Sequence, residues 1–271
     1  MQRRTSARLG LRNFAMSTLI SAELPPLDCH AHIATDVTIE QLDSLGDSTI
    51  FAVTRSLDES EQVASRTDRH LIWGCGIHPG VASARAAFDE GRFRVLLGRF
   101  ALVGEVGLDR HAGKLPDQLR VFRAVLVTIA NAPVLVSVHS AGCTPDVVDL
   151  ICECTHPGII LHWFLGDGEA VRRAASAGCY FSVNAAMPDD AIRRIPQDRM
   201  LPETDFPATT RLGGGSRPGD MANLENRLTD LLRQPVELLR RSWYRNLRTL
   251  ALASGALERL PDTLADRLLS A

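Results

Sequence analysis

The sequence predicts an α/β protein built as one (β/α)8 TIM barrel. Three observations carry that expectation. A chain of 271 residues with 45% hydrophobic content can bury one full-sized core. Eight short apolar runs alternate with helix-like segments, and chemically capable residues stand where several of those runs end. The runs cover 26–30, 49–54, 70–76, 100–106, 134–139, 159–162, 179–183 and 199–203. Helix candidates lie near 38–45, 58–68, 81–97, 116–131, 145–154, 168–177 and 189–194, with two or three more after Asp220. Each interval leaves room for a right-handed crossover. A doubly wound sheet would give the same alternation, so the polar positions decide: a barrel collects its chemistry at the C-terminal ends of the strands.

The first run leads into Asp28-Cys29-His30-Ala31-His32. Residues two apart in an extended segment face one side, so both imidazoles can reach one cation. The fourth run carries Glu105 between Gly104 and Gly107. A carboxylate inside an apolar strand costs several kcal/mol without a partner, which a cation or an arginine would supply, and the glycines would give bulky ligands room. His139 and His162 end the fifth and sixth runs; either alone reads as a hydrogen-bonded core residue, whereas two in successive strands read as ligands. Asp205 follows the eighth run beside Phe206-Pro207. Four imidazoles and two carboxylates form a mixed nitrogen and oxygen set suited to Zn, Mn or Fe and less to calcium. Six ligands exceed what one catalytic ion with an open position takes, but they suit two ions ~3.5–4 Å apart bridged by a carboxylate. Lys114, the only lysine, lies past the end of its strand, so Glu105 is the better bridge.

Composition removes several function classes. A net charge of −2 gives no overall basic field for nucleic acid or an acidic membrane, and no segment approaches the ~20 apolar residues of a membrane span. Six scattered cysteines without a CxxC pair read as reduced thiols of a cytoplasmic protein. Cys152 and Cys154 would point about 200° apart on a helix, which favours core packing over metal binding. Residues 1–23 are Arg-rich and carry no acid before Glu23; a disordered extension is expected there, with a targeting segment as the alternative. The barrel domain is expected over 24–271. The run Gly213-Gly214-Gly215-Ser216 reads as a flexible loop after the last strand. Arg110, His111, Arg211 and Arg217 could contact phosphate from loops at the mouth.

Six motifs in order resemble the TatD family of metal-dependent hydrolases: Asp28-Cys29-His30-Ala31-His32, Gly76-Ile77-His78-Pro79, Gly104-Glu105-Val106-Gly107-Leu108-Asp109, Ser137-Val138-His139-Ser140, His162-Trp163-Phe164-Leu165-Gly166 and Glu203-Thr204-Asp205-Phe206-Pro207. The resemblance implies one ion on His30, His32, Glu105 and Asp205 and another on Glu105, His139 and His162, two divalent ions (Mg, Mn or Zn) in all. It also implies Asp205 as general base and His78 beside the substrate. The family's deoxyribonucleases and 3′ exonucleases make phosphodiester hydrolysis of DNA the first expectation. Hydrolysis of a small amide, ester or lactone is the second, and a non-catalytic binding subunit the third. Two departures bear on substrate choice: Ala141 stands where the family commonly has arginine, and Arg217-Pro218-Gly219-Asp220 replaces the usual R-G-x-x-N-E-P segment. That segment and 180–187 resemble a TatD subgroup encoded beside anti-phage defence genes of the Qat type, which implies protein partners from a defence operon.

Overall fold

The apolar runs form eight strands: β1 (Leu27–His32), β2 (Thr49–Val53), β3 (Leu71–Cys75), β4 (Leu102–Gly107), β5 (Leu135–His139), β6 (Ile159–Leu161), β7 (Tyr180–Val183) and β8 (Met200–Pro202). In the computed structural model, which describes residues 23–271, they pair in chain order into one sheet. Every pairing is parallel. Around them run α1 (Ile39–Asp43), α2 (Leu57–Val63), α3 (Ala82–Ala86), α4 (Glu90–Leu97), α5 (Leu115–Ile129), α6 (Thr144–Glu153), α7 (Gly168–Ser176), α8 (Asp189–Arg194), α9 (Ala222–Leu232), α10 (Val236–Ser254) and α11 (Asp262–Ser270). The architecture is the expected single-domain (β/α)8 barrel. The extension expected over 1–23 lies outside the described residues except for Glu23, whose carboxylate meets Arg240 at 3.4 Å.

Strands covered on both faces should be apolar throughout, and β2 and β3 are buried along their whole length. The helices supply the outer wall through one stripe each. On α5, Val121, Phe122, Val125, Leu126 and Ile129 recur at helical spacing and are all buried. On α10, Asn246 Nδ2 donates to the carbonyls of Gln197 and Met200, both at 2.8 Å, and so fixes that helix against the entry to β8. The seam between β8 and β1 has no ladder pairing among the described residues. It is sewn at the mouth instead, where Asp205 N–H donates to His30 O at 2.9 Å and His32 N–H to Phe206 O at 2.8 Å.

Three local expectations differ from the structure. The helix expected over 81–97 divides into α3 and α4, because Asp89 caps a new start by accepting from Arg92 N–H at 2.6 Å. The helix expected over 145–154 runs over Thr144–Glu153 and stops one residue short, because Cys154 has extended backbone, and Cys152 is exposed rather than packed in the core. The glycines around Glu105 admit the neighbouring strands, at Gly107 the backbone of His139 and at Gly104 the side chains of Ser137 and Val53, rather than the ligand side chains. A Cβ on Gly107, whose φ is +138°, would stand 2.1 Å from His139 O, and one on Gly104 would stand 2.9 Å from Ser137 Cβ.

Candidate metal centre

The pairing register slips at two places. One is between Asp28 and Ala31 on β1, and the other between Val103 and Val106 on β4. Each slip inserts an extra residue on its strand, a device that bends the backbone and re-aims a side chain. His30 lies in the first and Glu105 in the second. Both are buried, at 0% and 1% exposure, and face each other with His30 Nε2 3.6 Å from Glu105 Oε2.

Around that pair the structure gathers all six expected ligands together with His78. Glu105 divides them: Oε1 lies 2.5 Å from His139 Nδ1 and 2.8 Å from His162 Nε2. Oε2 faces His30, His32 Nε2 at 3.1 Å and His78 Nε2 at 3.3 Å. Asp205 Oδ1 closes the second group, 3.7 Å from His30 Nε2 and 4.0 Å from His32 Nε2. Two atoms bound at ~2.1 Å to one tetrahedral ion stand roughly 3.4 Å apart, so the spacings around Oε2 and Asp205 fit ligands sharing a cation, while the two contacts of Oε1 are hydrogen bonds. His30 Nε2 and Glu105 Oε2 are buried without a hydrogen-bond partner, a condition that a cation relieves. The donor set therefore fits the metal that the residue types implied.

Four further motif residues, Ser137, Asp109, Glu203 and Asp28, surround these side chains. Ser137 Oγ bonds His30 Nδ1 at 2.7 Å, which leaves Nε2 for the centre. Asp109 Oδ2 stands 3.5 Å from His139 Nε2. Glu203, 1% exposed, accepts from Ser182 Oγ, from Asn184 Nδ2 at 2.9 Å and from Trp163 N–H at 3.0 Å. Its Oε1 also lies 3.9 Å from His162 Nδ1, an electrostatic contact rather than a hydrogen bond. Asp28 accepts from Thr204 N–H at 2.8 Å, Thr204 Oγ1 at 2.6 Å and Gly219 N–H at 2.9 Å, and so ties β1 to the loop carrying Asp205. The apolar neighbours of Asp28, Leu27 and Cys29, were the available signal there: an acid in an apolar stretch needs donors wherever it points.

Electrostatics follow from burial and crowding. Burial pushes His30 down to about 4, and His78 likewise to about 4, so both are neutral lone-pair donors at pH 7. Burial opposes ionisation of Glu105 and His162 too, but their mutual attraction holds Glu105 well below and His162 well above their ordinary ranges. A cation must displace that imidazolium proton to bind there. Burial, reinforced by Glu203 and Glu105 and opposed by His162, pushes Asp205 up to about 7. Asp205 is also held at φ +46°, a left-handed conformation unusual for a non-glycine residue.

A cavity of about 340 Å³ opens over these residues, lined beyond them by Ser140, Ala141, Gly142, Thr144, Trp163, Leu165 and Ala208. None of Arg110, His111, Arg211 and Arg217 lines it. Arg110 donates to Gly142 O at 2.6 Å and reaches Asp146 at 3.4 Å, and Arg217 donates to Ser44 O.

Comparison with known proteins agrees with this geometry. Over 119 residues the chain is 33% identical to the uncharacterized metal-dependent hydrolase YabD of Bacillus subtilis, which covers 40% of this chain and 47% of that protein. It is 28% identical to the 3′-5′ ssDNA/RNA exonuclease TatD of Cronobacter sakazakii over 74% of this chain and 83% of that one. The fold matches the crystal structure of YJJV, a TatD homologue from Escherichia coli, with a TM-score of 0.71 at 20% identity, over 83% of this chain and 97% of that one. A TatD-family hydrolase from Entamoeba histolytica matches with a TM-score of 0.67 at 15% identity, over 83% and 97%. Residues 27–251 match the family described as TatD related DNase, and the chain belongs to that family of metal-dependent hydrolases.

Proposed function

We propose that the chain is a phosphodiesterase that removes nucleotides from the 3′ end of single-stranded DNA, with two divalent cations at the mouth of the barrel. One observation carries the reading. A single buried carboxylate, Glu105, presents one oxygen to His139 and His162 and the other to His30 and His32. His30, His32, Glu105 and Asp205 would hold one ion, and Glu105, His139 and His162 the other. Such ions, Mg, Mn or Zn, supply Lewis acidity at the phosphoryl oxygens and make the attacking water more acidic. Asp205, whose Oδ1 lies 3.7 Å from His30 Nε2 at the edge of the same group, would accept the proton of that water. His78 stays neutral at pH 7 and can donate to or accept from the substrate. The polarity and substrate rest on the name of the Cronobacter relative.

The experiment is hydrolysis of a 5′-labelled single strand by metal-stripped protein with and without Mg, Mn or Zn. Metal-dependent shortening from the 3′ end is the expected result. A second reading, hydrolysis of a small ester, amide or lactone, is favoured by Ala141 and by a cavity without a lining arginine or lysine. A p-nitrophenyl acetate arm separates the two. No helix among the described residues is long and apolar enough to cross a membrane, and all six cysteines are free, which supports a cytoplasmic site of action. The Qat-type resemblance of 180–187 and 217–220 supports a role in anti-phage defence with operon-encoded protein partners. Both go with the nuclease reading.

A further inference from the structure

The segment that follows β6 alternates between the core and the cavity. Phe164 is buried against Phe181, with ring centroids 5.3 Å apart. A Cβ on Gly166 would stand 2.4 Å from the Phe164 ring, so the loop closes tightly over that anchor. The residues on either side, Trp163 and Leu165, line the cavity over the metal centre, and Leu165 is 53% exposed. Trp163 has φ +40°, a conformation that disfavours a bulky side chain. It is held by the bond from its N–H to Glu203, which Ser182 and Asn184 anchor in turn. A strained aromatic residue whose backbone is tied down at a cavity wall is a preorganised contact surface.

The rest of the wall has no countercharge for a phosphate chain. Beyond the histidines and carboxylates of the centre it consists of Ser140, Ala141, Gly142, Thr144, Leu165 and Ala208, with no arginine or lysine. Arg110, on the adjoining loop, is turned to Gly142 O and Asp146. Whatever part of the substrate lies beside the reacting bond therefore meets a flat, uncharged surface.

We infer that Trp163 is the specificity-determining residue of the site and stacks the terminal nucleobase of a single strand. End recognition then comes from base stacking at one position rather than from a cationic track along the backbone. This rests on the nuclease reading above. Stacking of a base on an aromatic ring changes binding by on the order of 10- to 100-fold on alanine substitution.

Two measurements test it. The first compares a thymidine hexamer with the same hexamer carrying an abasic 3′-terminal nucleotide, so that the phosphate chemistry is constant and only the base differs. Wild-type protein should show a KM on the order of 10- to 100-fold lower for the intact end. Trp163→Ala should erase that difference with kcat little changed, and Trp163→Phe should restore most of it. The second is fluorescence. The chain has three tryptophans, and Trp73 and Trp243 are buried, so quenching by thymidine hexamer in metal-free protein reports on Trp163 and should disappear in Trp163→Phe. Equal KM values for the two hexamers in wild type, or loss of activity in Trp163→Ala on both alike without Phe rescue, overturns the stacking role while leaving the nuclease reading intact. Failure of wild-type protein to hydrolyse either hexamer with any of the three metals overturns the nuclease reading and the inference with it.

Discussion

The two ends of the barrel treat buried polar groups in opposite ways. At the N-terminal end, half-buried Asp68 and Arg259 and buried His156 all find partners in the protein itself. Asp68 accepts from Arg66 Nε and Trp73 Nε1, both at 2.7 Å, while the Arg66 guanidinium lies 5.6 Å above the Trp73 ring. Arg259 donates to Leu97 O at 2.9 Å. His156 donates from Nε2 to Ala132 O and accepts at Nδ1 from Gly158 N–H, both at 3.0 Å. At the mouth, nitrogens of His30, His32, His139 and His162 and one oxygen of Glu105 are buried without such a partner. An unsatisfied buried group costs about 1–3 kcal/mol, and two of the five, His30 Nε2 and Glu105 Oε2, face each other 3.6 Å apart at the centre, which marks the place where something outside the protein completes the structure. Polar burial alone does not locate a site; unfinished polar burial does.

The largest effect expected from that contrast is at Glu105. Glu105→Ala should reduce kcat/KM on the order of 10³-fold or more, at the upper end of what removing one preorganised electrostatic group does, and should release both ions. Elemental analysis of purified protein alongside kinetics checks it, and retention of two ions would break the bridging assignment. Glu203→Gln touches neither expected ion. It should weaken metal binding about 10- to 100-fold, as losing an outer-shell partner does, in a metal titration followed by activity, with the thermal midpoint nearly unchanged at saturating metal.

Much of this was legible in the sequence because it depends on alternation and position. Eight runs gave eight strands in order, and His30, His32, Glu105, His139, His162 and Asp205 met at one mouth as their places in the runs implied. The slips in register were not legible, since an extra residue on β1 or β4 leaves the apolar pattern unbroken and shows only in the pairing. Nor were the roles of Asp28 and Glu203, whose partners Gly219 and Ser182 are distant in sequence. The break between α3 and α4 was readable at Asp89, an acid three residues before the N–H it caps, but the apolar spacing over 81–97 ran through it.

A smaller effect sharpens the comparison at the mouth itself. Position 141 lines the cavity, so Ala141→Arg places a planar cation beside the centre. With DNA as substrate it should lower KM several-fold through a doubly hydrogen-bonded phosphate contact. With a small neutral ester the same charge is desolvated without a partner and should slow turnover. Kinetics on both substrates reads the sign.

The smallest effect belongs to the other end. Burial lowers the His156 pKa from its ordinary 6.5, so its contribution to stability is complete above that value and declines as pH falls below it and the unfolded chain gains the proton first. His156→Gln should lower the thermal midpoint at pH 7 and narrow its gap to wild type as pH drops from 7 to 5, at fixed metal concentration. A gap that widens over this range would mean that His156 is charged in the folded protein.

On the proposed reading, the histidines and carboxylates gathered at the mouth hold two cations that hydrolysis requires. Titrating metal-stripped wild-type protein with Mn, while following bound metal per chain and shortening of a 5′-labelled single strand together, tests it most directly. No hydrolysis in chelator, and full activity only as the second equivalent binds, is the expected result. Full activity in chelator, or a rate that saturates at one ion per chain, would contradict it.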